Sequence, residues 1–480
     1  SADLLACETR LNIHLLLLIV YSVLLTAAGL WISRLVRGSG DFFVAGRALS
    51  APLIFSTVLA ANIGAGTTVG AAGLAYQEGL SAWWWNGSAA IGSLVLAYWI
   101  GPRMWRLASE HGFYTVGDFL EFRYNATVRG VMASFIWVGT LSILAAQLIA
   151  GAAVLGVVAD IPKPLGVIIG AVVMMVYFVA GGLLTSAWVN LLQLVVLIGG
   201  FVIAMPLLYS GVGGGAAFTS MSAPHPGYWD IMYSSGSGMS GWAMLAILTP
   251  AFIISPGLLQ KAYGARDERA VRLGIGLQGG AQMLFAFIPV FFGLAARAAH
   301  LQIDSPNLVL PTVLATQLPA FVGALALAAV FSAEVSTCDA ILFMLATSLS
   351  KDLYKRFVNP EADDRRVLLV ARLAAVAGGL GGIVLAIQLE TVIGALGIFY
   401  SLLSVSLFVP VVGGLITRRA GASEALASMA AGIVTLFFVT YTTGGRGYGL
   451  LNPNVLGLGA SALAYVVFMT RKQSSLRPTG

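Results

Sequence analysis

The sequence APLIFSTVLAANIGAGTTVGAAGLAY, residues 51–76, is apolar enough to cross a membrane but is interrupted at its centre. A membrane-spanning helix needs about 20 mainly apolar residues, yet this one carries Asn62, Gly64, Gly66 and Thr67 at its middle. Unwound backbone inside a membrane exposes carbonyls and amides that only protein, a cavity or a bound ion can satisfy. The stretch therefore predicts a broken membrane helix with a site at the break. Close packing of small residues on a neighbouring helix is the alternative.

The composition indicates an all-α integral membrane protein. Of 480 residues, 58% are hydrophobic and 10% are charged, against about 25% charged in soluble proteins. The apolar runs are long and continuous, which excludes the short alternating strands of a membrane barrel. Hydropathy and helix breakers predict about thirteen spans, at about 12–33, 51–77, 80–101, 130–158, 164–181, 185–211, 242–262, 271–298, 319–349, 367–389, 391–417, 424–443 and 453–470. The first lacks the flanks of a signal peptide and is expected to be a true span.

The basic residues predict the orientation in the membrane. With thirteen spans, 22 of the 26 lysines and arginines fall on one face, and only Arg10, Lys163, Arg297 and Arg446 fall on the other. Basic loops stay on the cytoplasmic side. We expect a multi-pass protein of the bacterial inner membrane, with its N-terminus outside and its C-terminus in the cytoplasm.

A second predicted span, the seventh, is also interrupted. Ser255-Pro256-Gly257 lies in the seventh span, five spans after the break at Gly64, so the two broken helices run in opposite directions. This arrangement is typical of transporters built from two inverted repeats, with the binding site at the breaks. A single domain, 1–480, is predicted, comprising a peripheral span 12–33, five-helix repeats at about 51–211 and 242–417, and C-terminal spans 424–443 and 453–470.

The ninth span supplies polar partners for the first break. Its sequence FSAEVSTCD, residues 331–339, places Ser336 and Thr337 on one helix face, flanked by Glu334 and Asp339. Serine and threonine often bond only to their own helix carbonyls. Ionisable groups inside a membrane, however, are expensive and usually functional, and hard cations prefer oxygen ligands. We therefore predict a cation site between the second and ninth spans.

Motifs along nearly the whole chain resemble those of the sodium:solute symporter family, whose fold is similar to that of the bacterial leucine transporter. They are GDFFVAGR from Gly40, TVGDFLEFRY from Thr115, AAQLIAG around Gln147, GGLLTSAWVNLLQLVVLIGG from Gly181, Gln260-Lys261, FSAEVSTCDA with LSKDLYKRF, Pro410, and Arg418-Arg419. The resemblance implies sodium-coupled import of a small organic solute by alternating access.

The resemblance also implies a sodium site. Its ligands would be the backbone carbonyls of Ala60, Ile63 and Ala333 and the hydroxyls of Ser336 and Thr337. Where many family members have Thr-Asp in the sixth span, this chain has Val189-Asn190. That departure at Asn190 favours one coupled sodium ion, although Glu334 or Asp339 could stand in for the missing aspartate.

The solute is expected beside the same two breaks. The candidate lining residues are Asn62, Gly66, Thr67, Trp84, Gln147, Ser255, Gly257, Gln278 and Tyr400. Sugar-carrying relatives use acidic and amide side chains where this chain has Gly66 and Thr67, so a sugar is disfavoured. The half-helix that starts at Gly64 is expected to point free amides into the site, which suits a carboxylate. A small amino acid or a monocarboxylate is therefore predicted.

Four alternative functions make different demands on the sequence. A proton-coupled carrier of the same fold would use Glu334 or Asp339. A solute sensor would need a separate signalling partner, because only about ten residues follow Thr470. A membrane enzyme is disfavoured because the four histidines, His14, His111, His225 and His300, form no catalytic pair. A channel is disfavoured because the polar residues cluster at the breaks. Besides sodium, the solute and lipid, no nucleic acid and no obligate protein partner are expected.

Overall fold

The computed structural model describes residues 13–24, 27, 31, 47–235, 240–449 and 451–475. These residues are almost entirely helical, and the β-type pairings among them are two isolated bridges, Leu49–Ala265 and Tyr448–Leu451. The predicted all-α class is confirmed.

The first half of the described chain is a series of α-helices with short 3-10 and π-helical segments between some of them. The α-helices are α1 (Ile13–Leu24), α2 (Ala51–Asn62), α3 (Ala71–Glu78), α4 (Trp83–Val95), α5 (Gly101–His111), α6 (Val116–Arg123), α7 (Ala126–Ala159), α8 (Lys163–Gly211) and α9 (Gly214–Ser220). Two π-helical segments, Gly66–Gly70 and Leu96–Ile100, precede α3 and α5, and a 3-10 turn, Gly79–Ala82, precedes α4.

The second half is also mainly α-helical. Its α-helices are α10 (Leu245–Ile253), α11 (Pro256–Tyr263), α12 (Glu268–Phe285), α13 (Phe287–Ala298), α14 (Val309–Thr316), α15 (Ala320–Thr347), α16 (Asp364–Gln388), α17 (Val392–Ile416), α18 (Ala422–Thr443) and α19 (Pro453–Ser475). A π-helical segment, Ser348–Val358, continues α15 towards the basic face.

Both predicted breaks are present. After α2 the backbone is extended at Ile63 (φ −95°, ψ 93°), and the helical segments Ala51–Asn62 and Gly66–His111 are bent by 62°. Between α10 and α11 the chain is extended at Ser255 (φ −50°, ψ 117°). Pro256 then begins α11 at a position where its missing N–H costs no helix hydrogen bond. Each break thus follows from the residue types at that point.

The turn that separates the second and third predicted spans depends on one glycine. Helix α3 ends at Glu78, and Gly79 adopts a φ of +75°, which favours glycine. A Cβ atom at Gly79 would lie 1.9 Å from the carbonyl oxygen of Tyr228. The loop that contains Tyr228 therefore packs directly on this turn.

Helix α8 differs from the sequence-based expectation. The structure has one helix of 49 residues where two spans, 164–181 and 185–211, are predicted. The glycines near residue 181 do not end the helix by themselves. At roughly 1.5 Å per residue it would be about 73 Å long, more than twice the hydrocarbon thickness of about 30 Å.

The number of spans therefore stays a prediction. Within the described chain, nine helices are long and apolar enough to cross a membrane, or ten if the two segments at the first break form one span. Of the predicted first span, 12–33, only residues 13–24, 27 and 31 are described. The division into repeats and the orientation of the termini likewise stay predictions.

Burial separates an inner group of helices from an outer one. In the most apolar windows of α7 and α15, 83% and 82% of the residues are buried, against 39% in α18 and 28% in α19. Side chains of α2 such as Ile54 and Val58 are fully buried. The two broken helices therefore lie beside α7 and α15 in the interior, while the C-terminal helices present apolar side chains outwards.

Candidate functional site

The first break and α15 bring five buried oxygens together. The Ser336 hydroxyl lies 3.0 Å from the Ala60 carbonyl oxygen and 2.9 Å from that of Ala333. The Thr337 hydroxyl lies 3.2 Å from the carbonyl oxygens of both Ala60 and Ile63. All five residues are buried. These are the five residues that the family resemblance implies as sodium ligands.

The two hydroxyls of this cluster make more contacts with carbonyl oxygens than they have hydrogens to donate. Its two hydroxyls make four contacts with carbonyl oxygens, but each hydroxyl has a single hydrogen to donate. At most two contacts are therefore hydrogen bonds at any moment, and lone pairs face each other across the rest. A set of carbonyl and hydroxyl oxygens with such a deficit is suited to a hard cation.

The break makes the α2 carbonyls available. In an unbroken helix the Ala60 carbonyl would accept from the amide of Gly64, and that of Ile63 from the amide of Thr67. Here the Gly64 amide donates to the Thr67 hydroxyl at 2.7 Å, and the Thr67 amide donates to the Gly64 carbonyl at 3.0 Å. Both upstream carbonyls lose their helical partners and are free to face α15.

Gly64 allows the break to approach its neighbours closely. A Cβ atom there would lie 2.3 Å from the Thr337 Oγ1 and 2.7 Å from the Gln147 Oε1. Any side chain would push α2 away from both α7 and α15. The glycine is thus required by contact, in addition to the backbone freedom that the sequence indicated.

A cavity of about 80 Å³ adjoins the oxygen cluster and lies between the two breaks. Seven of the nine predicted solute residues line it: Asn62, Gly66, Thr67, Gln147, Ser255, Gly257 and Tyr400. Thr337 of the oxygen cluster lines it as well. The cavity is far smaller than drug-sized pockets of roughly 300–1,000 Å³, so it fits a small solute.

Trp84 and Gln278 lie elsewhere. The Trp84 indole donates to the carbonyl of Ile231 in an outer loop at 2.8 Å, and its neighbour Trp85 lines the cavity instead. Three consecutive tryptophans point in different directions on a helix, and the sequence does not indicate which one faces inwards. Gln278 is fully buried and donates at 2.5 Å to Gln282, which was not predicted.

Gln282 supports the cavity from behind. Its Oε1 accepts from the Asn62 amide at 3.1 Å as well as from Gln278. Asn62 faces the cavity, so the two glutamines of α12 hold it in place and do not line the space themselves. The four-residue spacing of the glutamines on one helix face was the available sequence signal.

Four amides at the start of the half-helix after the first break are already paired. The Ala65 amide donates to Gln147 Oε1 at 2.8 Å, and the amides of Gly64, Thr67 and Thr68 have partners within the break. For these four amides the expectation of free donors is wrong, because a broken helix can satisfy its own donors locally. Gln147 therefore fixes the break through Ala65 besides lining the cavity.

A buried lysine also lines the cavity. Lys261 of α11 is 1% exposed, lines the cavity, and donates from Nζ to the Thr57 hydroxyl on α2 at 3.0 Å. Among the described residues that line this cavity, Lys261 alone carries a formal charge. The opposite wall is aromatic, with the ring centroids of Tyr400 and Phe252 5.3 Å apart and those of Tyr400 and Trp85 6.2 Å apart.

The predicted coupling residues are described only in part. Glu334 is fully buried, and its Oε1 lies 3.3 Å from the Thr68 hydroxyl. The side chains of Asp339 and Asn190 lie outside the described part of the structure.

A family model of the sodium:solute symporter family matches residues 42–432. The chain belongs to this family. It is 27% identical over 478 residues to the sodium/pantothenate symporter of Escherichia coli (strain K12), covering 94% of this chain and 95% of that protein. It is 24% identical over 423 residues to the sodium/glucose cotransporter of Vibrio parahaemolyticus, covering 80% and 76% respectively. The chain spans between 58% and 61% of three further relatives.

A solved structure of another protein has the same fold as this symporter. The substrate-bound outward-open state of a Na⁺-coupled sialic acid symporter matches with a TM-score of 0.79 and 17% identity, over 96% of this chain and 98% of that one. The family and this fold establish a multi-pass membrane transporter that couples movement of a small solute to Na⁺ and is not an enzyme.

The family motif from Thr115 to Tyr124 builds a charged cluster near the start of α7. Thr115 and Asp118 cap helix α6 reciprocally, with the Asp118 amide 3.1 Å from the Thr115 hydroxyl. Arg129 of α7 then pairs with Asp118 at 2.8 Å, with Glu121 at 2.9 Å and with Asp352 at 2.8 Å. The cluster ties α6, α7 and the end of the α15 segment together.

Glu121 also accepts from Arg356 at 2.7 Å. Burial raises the pKa of the Glu121 carboxyl, but the hydrogen bonds from Arg356 and Arg129 outweigh it and hold the pKa below its usual value. The carboxylate stays charged at neutral pH and keeps its ion pairs with Arg129 and Arg356, in contrast to the hydrogen-poor cluster at the break.

Proposed function

We propose that this symporter imports a small solute with a carboxylate group, an amino acid or a monocarboxylate, together with sodium held between α2 and α15. The observation that carries the proposal is that the oxygen cluster and the Lys261-bearing cavity meet at one helix break. Ion and solute would therefore bind to the same movable backbone.

The sodium ligands in this proposal are the carbonyls of Ala60, Ile63 and Ala333 and the hydroxyls of Ser336 and Thr337. Their mutual distances of 2.9–3.2 Å support it, because a small outward shift would make room for an ion at their centre. With an ion present, each hydroxyl would turn its hydrogen away and offer a lone pair.

Coupling follows from where these ligands lie. Two carbonyls belong to the broken helix α2 and the remaining oxygens to the buried helix α15, so bound sodium would hold the two helices against each other. Loss of sodium to the cytoplasm would release α2 and open the solute cavity. The membrane potential adds about 2.3 kcal/mol per charge for each 100 mV to the sodium gradient.

Lys261 supports a carboxylate-bearing solute. A buried ammonium is a favourable partner for a carboxylate in a site shielded from water. The aromatic wall formed by Trp85, Phe252 and Tyr400 would receive the apolar part of the solute. Two relatives are named for pantothenate and sialic acid, which carry a carboxylate, whereas the Vibrio relative is named for the neutral sugar glucose.

The experiment is a sodium titration of thermal unfolding of the purified protein, with potassium as the ionic control. We expect a sodium-specific rise of the unfolding midpoint in the wild type and its loss in Ser336→Ala/Thr337→Ala. A panel of L-alanine, L-proline, lactate, pyruvate and pantothenate is then added with saturating sodium, with glucose as the neutral control.

One of the carboxylate compounds in this panel should stabilise the protein, and only when sodium is present. Lys261→Met should abolish that second shift while it keeps the sodium shift. A wild type that unfolds at the same temperature in sodium and potassium would overturn the sodium site, and stabilisation by glucose alone would overturn the carboxylate assignment.

We also propose the membrane topology: inverted repeats at about 51–211 and 242–417, the N-terminus outside, and the basic face in the cytoplasm. Ser222 and Asp363 are exposed on loops assigned to opposite faces. In a cysteine-free background, S222C should react with an impermeant maleimide in right-side-out vesicles and D363C should not. The reverse pattern would invert the topology.

A further inference from the structure

A second group of oxygens lies at the same break. Glu334 of α15 is fully buried, and one of its carboxyl oxygens has no hydrogen-bond partner in the part of the chain that the structure describes. The other lies 3.3 Å from the Thr68 hydroxyl. A buried carboxylate needs a compensating positive charge or a proton, because desolvation of an isolated charge is costly.

The hydrogens in this group are also too few. The Thr68 hydroxyl lies 2.8 Å from the Gly64 carbonyl oxygen and 3.3 Å from Glu334 Oε1. It has one hydrogen, and the shorter contact with Gly64 is the better hydrogen bond. The contact between Thr68 and Glu334 is then an approach of two oxygens without a hydrogen between them. This is the same deficit that marks the cluster at Ser336 and Thr337.

The two groups are consecutive along the broken backbone. The Ile63 carbonyl belongs to the first cluster, and the next carbonyl, that of Gly64, contacts Thr68. On α15, Glu334 follows Ala333 of the first cluster directly. The Gly64 carbonyl already accepts from the amides of Thr67 and Thr68. The second group thus adds a carboxylate and a hydroxyl oxygen beside the first, and both are ligands that a hard cation prefers.

We propose that the Glu334 carboxylate and the Thr68 hydroxyl form the core of a second sodium site next to the first. The inference rests on the proposed sodium site at Ser336 and Thr337 and extends it. In the sixth span the neutral Asn190 stands where many family members have an aspartate, and this difference by itself favours a single coupled sodium ion. The carboxylate of Glu334 would supply the negative charge of that missing aspartate from a different helix.

The test is the number of sodium ions bound per protein, measured with ²²Na⁺ at saturation on the purified full-length chain in detergent. We expect about two ions in the wild type and about one in Glu334→Gln, which keeps the size of the side chain and removes its charge. Thr68→Val removes the hydroxyl and keeps the shape, and it should also bind about one. Glu78→Gln, on α3 away from the break, is the matched control and should keep two.

A further measurement separates a lost site from a misfolded variant. In sodium-free buffer Glu334→Gln should unfold at a higher temperature than the wild type, because it no longer buries an uncompensated carboxylate. Both site variants should elute as single species on size exclusion.

The outcomes distinguish the two proposals. A wild type that binds one ion, or a Glu334→Gln variant that still binds two, overturns the second site and leaves the first intact. One ion in both proteins, with a pH dependence of solute uptake that disappears in Glu334→Gln, would identify Glu334 as a proton carrier instead. A wild type that binds no sodium would overturn the first site as well.

Discussion

The break after α2 and the break between α10 and α11 interrupt their helices with different chemistry. At the first, glycine permits contacts too close for any side chain, and Gly64 would collide with Thr337 and Gln147 if it carried a Cβ. At the second, Pro256 starts a new helix, and a Cβ at Gly257 would meet only the Met344 sulfur, at an ordinary 3.5 Å. The first break is tightly packed and the second has space beside it.

Their polar partners differ in the same way. The first break directs carbonyl oxygens at α15 and pairs its amides locally or with Gln147. The second has no side-chain cap at Ser255, and its charged residue, Lys261, reaches the cavity and α2. The two breaks therefore differ in chemistry, and in the proposed mechanism the first would hold the ion while both would line the solute cavity.

The largest expected effect comes from matched alanine substitutions at the two glycines. Gly64→Ala forces Thr337 or α2 to move, because the new Cβ would lie 2.3 Å from Thr337 Oγ1. Sodium-dependent stabilisation should disappear, and sodium-driven uptake in vesicles should fall by about a hundredfold, equivalent to about 2.8 kcal/mol. Gly257→Ala should keep the sodium-dependent stabilisation within about twofold of the wild type, because its Cβ would meet only Met344. Equal losses in the two variants would break the comparison.

A smaller effect is expected from the glutamine that holds the first break. Gln147→Leu leaves the buried Ala65 amide without its acceptor, which costs about 1–3 kcal/mol. The sodium concentration at half-maximal stabilisation should rise about tenfold. Gln147→Glu keeps an acceptor oxygen and should retain sodium binding. If Gln147→Leu lowered solute affinity but left the sodium response unchanged, Gln147 would belong to the cavity alone.

The smallest effect is expected at the second break. Ser255 makes no side-chain cap hydrogen bond, so Ser255→Ala should change the free energy of unfolding by less than about 0.5 kcal/mol. The sodium-induced shift of the unfolding midpoint should be unchanged. A loss of that shift would mean that the second break also holds the ion, and the division between the two breaks would fail.

The parts of the site that sequence could predict were those that depend on residue type along one segment. Glycines at Gly64 and Gly66 and the proline at Pro256 locate both breaks, and a helical wheel of residues 331–339 places Ser336 beside Thr337. The polar residues of both segments predicted a cation site between the second and ninth spans. The individual ligands came from the family resemblance, since neither segment alone specifies which atoms it contacts more than 270 residues away.

The parts that could not be predicted depend on which partner a polar group chooses. The half-helix amides were expected to face the solute, but Thr67 and Gln147 accept their hydrogen bonds. Trp85 faces the cavity because of the helix phase set by the turn at Gly79, which the sequence alone does not provide. Lys261 was recognised as part of a family motif, but its position at the cavity depends on the angle at which α11 leaves the break.

The hydrogen bond from Lys261 to Thr57 connects the proposed solute cavity to the helix that carries the proposed ion ligands. Thr57 lies one turn before Ala60 on the helix that carries the proposed ion ligands, and the ammonium that it accepts from also lines the solute cavity. A solute carboxylate that attracts this ammonium would weaken its hold on α2, so the arrival of cargo would be felt at the ion-binding helix before any domain moves. In the proposed mechanism, this hydrogen bond would join the solute cavity to the ion-binding helix and so disfavour movement of the carrier without solute.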